Sequence, residues 1–286
     1  MGYSGGTERN VWSVVLNYKN PNDTVTCVQA LKKECSSIVV VDNGGSNMSY
    51  LTSVLRPGVV VVATEQNLGF AGGMNYGIRY ALELGAEDIV IVNNDTVPFQ
   101  GWMSALITAR EIGYDIVSPI ILDVGEMKID LAGYVLSWAE VGASQVIPVN
   151  KIYATFMMIG RDTFHEVGFF DEDFFHYCED NDYCSRAISC GKRLGYALNA
   201  FAWHRGGGTL DHKAPEAWYY HARNSLILFS REQEVAVQKL LLHDSKTRGY
   251  IVRLLLNATI HGRLGNFKWI FLGVYHALRK RLGRLK

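Results

Sequence analysis

Short, wholly apolar runs alternate with segments of helical period along the first hundred residues. Residues 11–17 (VWSVVLN), 37–41, 59–63 and 89–92 read as strands buried on both faces. Pro21-Asn22-Asp23-Thr24 supplies a helix start, and residues 24–34 then place Val25, Val28 and Leu31 on one face. Residues 72–84 read as a second helix. Strands alternating with helices predict an open, doubly wound, mostly parallel α/β sheet. After Asp95 the pattern loosens. It predicts a helix over 101–112, a strand over 116–122, strands and turns from 123 to 148, and an apolar run over 152–159. Short helices are expected at 161–167 and 181–190, with a return to the sheet edge over 192–202. From Pro215 onward, residues 217–229, 235–242 and 248–260 all have helical period. A soft boundary near Asp211 separates an α/β unit, 1–210, from a helical extension, 211–286.

Composition narrows the class. The 286 residues carry 28 Lys and Arg against 28 Asp and Glu, a formal net charge of zero, which disfavours a nucleic-acid binder. With 48% hydrophobic and 20% charged residues the chain is globular, not disordered. Cys178, Cys184 and Cys190 recur every six residues, a spacing that suits neither zinc nor a disulfide framework, so reduced thiols are expected. The first ten residues lack an apolar core, so a cleaved secretion signal is not expected. No apolar run reaches the roughly 18–20 residues of a bilayer span. The expectation is a protein in the cytoplasm or resting on a membrane surface.

Open α/β sheets bind ligands at the carboxyl ends of their strands. Three strands here end in polar residues: Asn17-Tyr18, Asp42-Asn43 and Asn93-Asn94-Asp95. The first strand runs into NYKNPND without a GxGxxG turn, which disfavours a hydride-transfer enzyme. The glycine-rich stretch comes later, at 67–75 (NLGFAGGMN), where it is either a phosphate-approaching loop or a tight strand-to-helix turn. Asn93-Asn94-Asp95 offers oxygen ligands for Mg²⁺ or Mn²⁺, or simply caps a turn. Glu179-Asp180-Asn181-Asp182 follows an aromatic run and opens a helix, where acids serve as caps or as catalysts. Asp182 and Arg186, four apart, suit a structural pair. Trp203-His204-Arg205, followed by three glycines, marks an open loop suited to phosphate.

Taken in order, VVVDNGGS, NLGFAGGMNYGI, IVNNDT, FFDEDFFHYCEDNDYCSR and WHRGGGT resemble glycosyltransferase family 2, and within it the rhamnosyltransferase-like branch of cell-surface polysaccharide synthesis. The likeness runs from about Val11 to Asn224. It implies a GT-A fold, with a nucleotide-binding half over about 11–100 and an acceptor half over 101–210. It also implies an inverting mechanism, a UDP- or dTDP-sugar donor and a divalent metal, Mn²⁺ or Mg²⁺. By the same resemblance Asn17 and Tyr18 lie at the nucleobase, Asp42 bonds base or ribose, and Asn67, Gly72, Gly73 and Asn75 flank the nucleotide. Asn93, Asn94 and Asp95 fall at the DxD position, with Asp95 as the metal and diphosphate acid; Asn93 departs from the strict motif. Asp180 matches the catalytic base and His204 a metal-completing histidine. Arg205 stands near the leaving diphosphate, while Glu179, Asp182 and Arg223 are acceptor-side or supporting residues.

Residues 268–286 crowd Lys and Arg behind Trp269, Phe271, Leu272 and Tyr275. They are either an interfacial helix at an anionic membrane, suited to a lipid-linked acceptor, or a helix packed on its own domain. Two rival classes remain: a sugar-1-phosphate nucleotidyltransferase, disfavoured by NYKNPND after the first strand, and a non-catalytic nucleotide-sugar-binding scaffold. The expected partners are a sugar nucleotide and a glycan or lipid-linked acceptor at the cytoplasmic face of the membrane.

Overall fold

A computed structural model of the chain describes residues 9–123, 128–130, 145–206, 214–260 and 263–285. The apolar runs become strands β1 (Val11–Asn17), β2 (Ser37–Asn43), β3 (Val59–Thr64) and β4 (Asp88–Asn93), separated by helices α1 (Pro21–Leu31), α2 (Met48–Leu55) and α3 (Gly69–Glu83). Then follow β5 (Thr96–Pro98), α4 (Trp102–Glu111), β6 (Ile116–Asp123), β7 (Lys128–Asp130), β8 (Val146–Val149) and β9 (Phe156–Gly160). Next come α5 (Arg161–Val167), α6 (Glu179–Ser189) and β10 (Leu194–His204). Four helices close the described chain: α7 (Pro215–Glu232), α8 (Val237–His243), α9 (Ser245–Ile260) and α10 (Phe267–Leu278).

One sheet holds all ten strands, in the order β3-β2-β1-β4-β9-β6-β10-β5, with β7 beside β6 and β8 beside β10. The pairs β1–β2, β2–β3, β1–β4 and β6–β10 are parallel. The expectation of a mostly parallel sheet therefore holds for the first half. In the second half β9 enters antiparallel between β4 and β6, and β5 and β8 pair antiparallel with β10. Nor is β10 an edge strand: β8 covers its first residues and β5 its last, because each is too short to cover the whole. The helix α2, which the periodicity did not single out, buries Leu51 and Leu55 one turn apart.

Alternation along each strand sends side chains to both faces. Val15, Val40, Val90 and Val92 meet α1, α2 and α4 in one core cluster. Val14, Val39, Val41, Ile89 and Ile91 meet α3, α5 and α6 in another. Register then decides where the polar strand ends fall. Asn17 stands opposite Asp42, and Leu16 opposite Asn93, so three carboxyl ends align. His204 is paired with Thr96 on one side and with Asp123 on the other, which carries a residue late in the sequence to the end of β4 and β5.

The expected boundary near Asp211 and residues 123–148 fall partly outside the described residues. The C-terminal helices do not stand apart from the sheet domain. Phe174 and Cys178, on the loop before α6, share a buried cluster with Leu226, Ile227 and Leu228 of α7, Val237 of α8 and Ala277 of α10.

Candidate active site

A cleft of about 1110 Å³ opens at the carboxyl ends of the strands. One wall consists of Leu16, Tyr18, Asn43, Asn67, Asn93, Asn94, Asp95, Asp123 and His204; another of Lys151, Tyr153 and residues 175–181; His221, Phe229 and Glu232 of α7 and Tyr250 of α9 complete it. Asn67, Asn93, Asn94, Asp95, Glu179, Asp180, His204 and Tyr18 are thus brought to one cavity, although they come from opposite ends of the α/β unit.

Other candidate residues lie behind that surface. Asn17 is wholly buried: its Nδ2 donates to Asp42 Oδ1 at 2.8 Å, and its Oδ1 accepts from Thr24 Oγ1 at 2.8 Å. The second oxygen of Asp42 accepts from the Asn47 amide at 2.6 Å. Both residues therefore brace the strand ends from below. Asn75, also fully buried, donates to the Phe170 carbonyl at 2.8 Å and to Glu172 Oε1 at 2.9 Å, pinning the segment ahead of the aromatic loop.

The glycine-rich stretch is mostly helix, since α3 begins at Gly69, not at 72. Gly72 and Gly73 are buried in its first turns. A Cβ on Gly73 would meet Leu16 Cδ1 at 2.6 Å and Asn43 Nδ2 at 2.8 Å, so this glycine lets the helix lie against the sheet. Gly69 itself reaches the cleft. Its φ is +77°, a Cβ there would strike the Phe175 carbonyl, and the next amide, Phe70 N, donates to that carbonyl at 2.8 Å.

Asp95 and His204 meet where β5 and β10 pair. His204 Nε2 is 3.3 Å from Asp95 Oδ1, and Nδ1 is 3.8 Å from Asp123 Oδ2. Burial would raise the Asp95 carboxyl, but the His204 contact and the nearby Arg205 charge outweigh it and hold the group below its ordinary value. Asp95 is consequently an anion facing an imidazole, a hard oxygen donor beside a nitrogen donor. The Arg205 guanidinium turns away from the cleft and forms a two-pronged ion pair with Asp23, Nη1 to Oδ1 at 2.9 Å, beside the start of α1. That pairing occupies the guanidinium that was expected at a diphosphate, although its charge still reaches Asp95 and its backbone amide donates to the Asp95 carbonyl at 3.0 Å.

Glu179 and Asp180 occupy the first turn of α6, entered by an irregular loop. Phe175, Tyr177 and Cys178 have φ of 57°, 66° and 72°, backbone that L side chains adopt at a cost of about 1–3 kcal/mol each. Such a loop persists only when its surroundings dictate it, and α7 does so. Asn224 Nδ2 donates to the carbonyls of Phe174, His176 and Tyr177 at 2.8–2.9 Å. Arg223, fully buried, donates to Asp173 and Phe174 at 3.1 Å and to the Gly283 carbonyl at 2.6 Å. Arg223 therefore supports the loop and touches no cleft surface. Asp182 likewise faces away, held by Arg186 at 2.8 Å and by Arg231 at 3.0 Å.

The two acids are electrostatically unequal. Burial raises both, and Asp180 raises Glu179 further, up to about 8. Lys151 and the Asn181 and Ala154 amides oppose the rise at Asp180, with Asn181 N donating to Oδ1 at 2.7 Å. The shared proton thus belongs on Glu179 and the negative charge on Asp180. Glu179 Oε2 and Asn181 Oδ1 are buried with no hydrogen-bond partner, polar atoms poised for a ligand. Lys151 and Asp123 carry no local motif, and only the fold brings them to the cleft.

Comparison with known proteins bears on the family and the fold. The model of the family described as glycosyl transferase family 2 matches residues 14–162, just over half of the chain. A low-salt glycan biosynthesis hexosyltransferase, Agl10 of Haloferax volcanii, is 27% identical over 61% of this chain and 60% of its own length. The chain thus spans less than two thirds of that relative. A dTDP-rhamnosyl transferase, RfbF of Shigella flexneri, is 24% identical over 78% of this chain and 80% of its own. Among solved structures, S. aureus TarS 1–349 in complex with UDP superposes with a TM-score of 0.56 at 15% identity, covering 95% of this chain and 88% of that one. GalNAc-T7 with UDP, GalNAc and Mn²⁺ gives 0.59 at 13% identity, covering 87% and 55%. Those structures share the GT-A fold with it, and the chain belongs to glycosyl transferase family 2.

Proposed function

We propose that the protein is an inverting glycosyltransferase that moves a sugar, rhamnose or another hexose, from a UDP- or dTDP-sugar to a glycan or lipid-linked acceptor in cell-surface polysaccharide synthesis. The observation that carries this reading is one cleft with two unlike ends. The anionic Asp95 and His204 suit a diphosphate and its counter-ion, and the Glu179–Asp180 pair suits a hydroxyl to be deprotonated.

Family membership implies a divalent cation, and the residues present fit one in part. Asp95 and His204 supply two donors of suitable kind. Among the described residues no group of three His, Cys, Asp or Glu could hold an ion unaided, so diphosphate oxygens and water must complete the shell. When bound, such an ion neutralises charge on the leaving diphosphate. Asn93 contributes an amide where a second carboxylate would add charge, and this makes the site dependent on the donor.

The chemistry of the chain's own residues follows. Asp180 accepts the proton from an acceptor hydroxyl while that oxygen bonds to the anomeric carbon. The carbon–oxygen bond to the diphosphate breaks, and its electron pair leaves with the diphosphate. Attack from the face opposite the leaving group inverts the centre in one displacement. Lys151 opposes the rise that burial imposes on Asp180, and protonated Glu179 adds no competing charge. Glu179 Oε2 can hydrogen-bond the acceptor.

Calorimetry with UDP and dTDP tests the donor end. Affinity is expected to rise with Mn²⁺ in the wild type, to lose that dependence in Asp95→Ala and to weaken in His204→Ala. Equal affinity in EDTA and Mn²⁺ would overturn the metal assignment. A product retaining the donor's anomeric configuration, seen by NMR, would overturn the single displacement.

A further inference from the structure

Charge is divided unevenly along the chain. Ten of the 28 Lys and Arg lie after Asp244, and none of the 28 Asp and Glu does, so residues 245–286 carry +10 and residues 1–244 carry −10. The basic part is α9 and α10, and each helix is two-sided. On α9, Thr247 and Ala258 are buried and Leu254 packs towards α7. Its opposite side exposes Val252, Leu256 (53%) and Ile260 (75%), spaced four apart, beside the exposed Lys246 and Arg253. On α10, Ile270, Gly273 and Ala277 face inward, while Phe271 (56%) and Tyr275 stand outside beside exposed Lys268 and Arg279.

From this segregation we infer that the outer faces of α9 and α10 form a docking surface for an anionic lipid membrane. Exposed apolar side chains interleaved with cations, and no anion among them, are the requirements of a helix lying in the headgroup layer. An acidic protein or a second copy of the chain would satisfy the charges but gives no reason for four-residue apolar stripes open to solvent on two helices. Among the described residues no helix is long and apolar enough to cross a membrane, so the contact is at the surface. The placement is also useful. Tyr250 of α9 lines the cleft and accepts from Ser225, so the membrane face lies about one helix diameter, roughly 10 Å, from the acceptor end.

These helices are not a detachable tail. A Cβ on Gly273 would meet the Tyr219 carbonyl at 2.5 Å, and Arg223 holds the Gly283 carbonyl, so truncation before Lys268 would strip the core. Surface substitutions in the full chain are the proper test. Co-sedimentation is measured with phosphatidylcholine vesicles and with vesicles containing phosphatidylglycerol. The wild type should bind only the anionic vesicles, and lose them as salt rises from about 0.1 M towards about 1 M. K246Q/R253Q/K268Q/R279Q should lower anionic binding by roughly a hundredfold or more. L256S/I260S/F271S, with charge unchanged, should also lose it. Both variants must melt like the wild type; a variant that does not is replaced by its single substitutions. Wild-type binding in both variants, or equal binding to neutral vesicles, overturns the proposal. So does an oligomer, seen by light scattering, that these substitutions dissociate while the wild type ignores vesicles. Vesicle binding needs no turnover, so its failure leaves the transferase reading standing.

Discussion

Arg223→Met is the sharpest test of how α7 shapes the cleft, because methionine retains the apolar stem and removes only the donors. Arg223 donates to Gly283 O at 2.6 Å, Asn224 Oδ1 at 2.7 Å, and the carbonyls of Asp173 and Phe174 at 3.1 Å. Two of these acceptors keep another donor: Asp173 O has Gly283 N at 2.7 Å, and Phe174 O has Asn224 Nδ2 at 2.9 Å. Gly283 O and Asn224 Oδ1 are left bare. At about 1–3 kcal/mol for each orphaned buried acceptor, partly offset by relief of the guanidinium's own desolvation, the loss is about 2–4 kcal/mol. In a chain of this size that lowers Tm by roughly 5–12 °C, read by thermal unfolding. The loop of positive-φ residues then loses part of what dictates it, so acceptor KM should rise more than donor affinity falls. A variant melting within about 2 °C of the wild type, with unchanged constants, would refute the latch.

The acids give two further predictions. Lys151 opposes the rise at Asp180, so Lys151→Met should move the acid limb of the kcat/KM profile to higher pH; an unmoved limb would remove Lys151 from the site. Glu179 sits near 8 when folded against 4.5 ordinarily, so the folded state holds a proton that the unfolded chain releases. Stability contributed by this group is lost as pH rises from about 4.5 through about 8. Glu179→Gln should therefore flatten the fall in Tm between those limits, and an unchanged slope would place the proton elsewhere.

Sequence alone revealed the strand ends, because an apolar run that stops at Asp42 or Asp95 has only one sensible place in an open sheet. It also revealed the Asp182–Arg186 pair, whose contact is local. Asp180 stands out only through the family resemblance, because its Lys151 charge and Ala154 amide come from a distant segment. The glycines Gly72 and Gly73 read two ways in one dimension, as a ligand loop or a tight turn into a helix; both lie in the first turns of α3, and Gly73 is its close contact with Leu16 of β1 and Asn43 of β2. Arg205 faces Asp23, nearly the length of the α/β unit away, and no local pattern announces such a pairing. Asp123 and Lys151 were illegible for the same reason. Asp123 reaches His204 only through the parallel register of β6 and β10, strands far apart in the chain, and β9 enters antiparallel between β4 and β6 before that pairing forms the far side of the sheet. The tail was half legible, since its charge is visible in the sequence whereas its buried inner face needs α7.

Whether Asp180 is the base is read from Asp180→Asn, measured as single-turnover sugar transfer alongside donor affinity. The substitution keeps the side chain's shape and its place at the start of α6 while removing its basicity. Transfer should be slower by about 10²–10⁴-fold, with donor affinity close to that of the wild type. Transfer at the wild-type rate, or a loss matched by an equal loss of donor binding, would contradict that role.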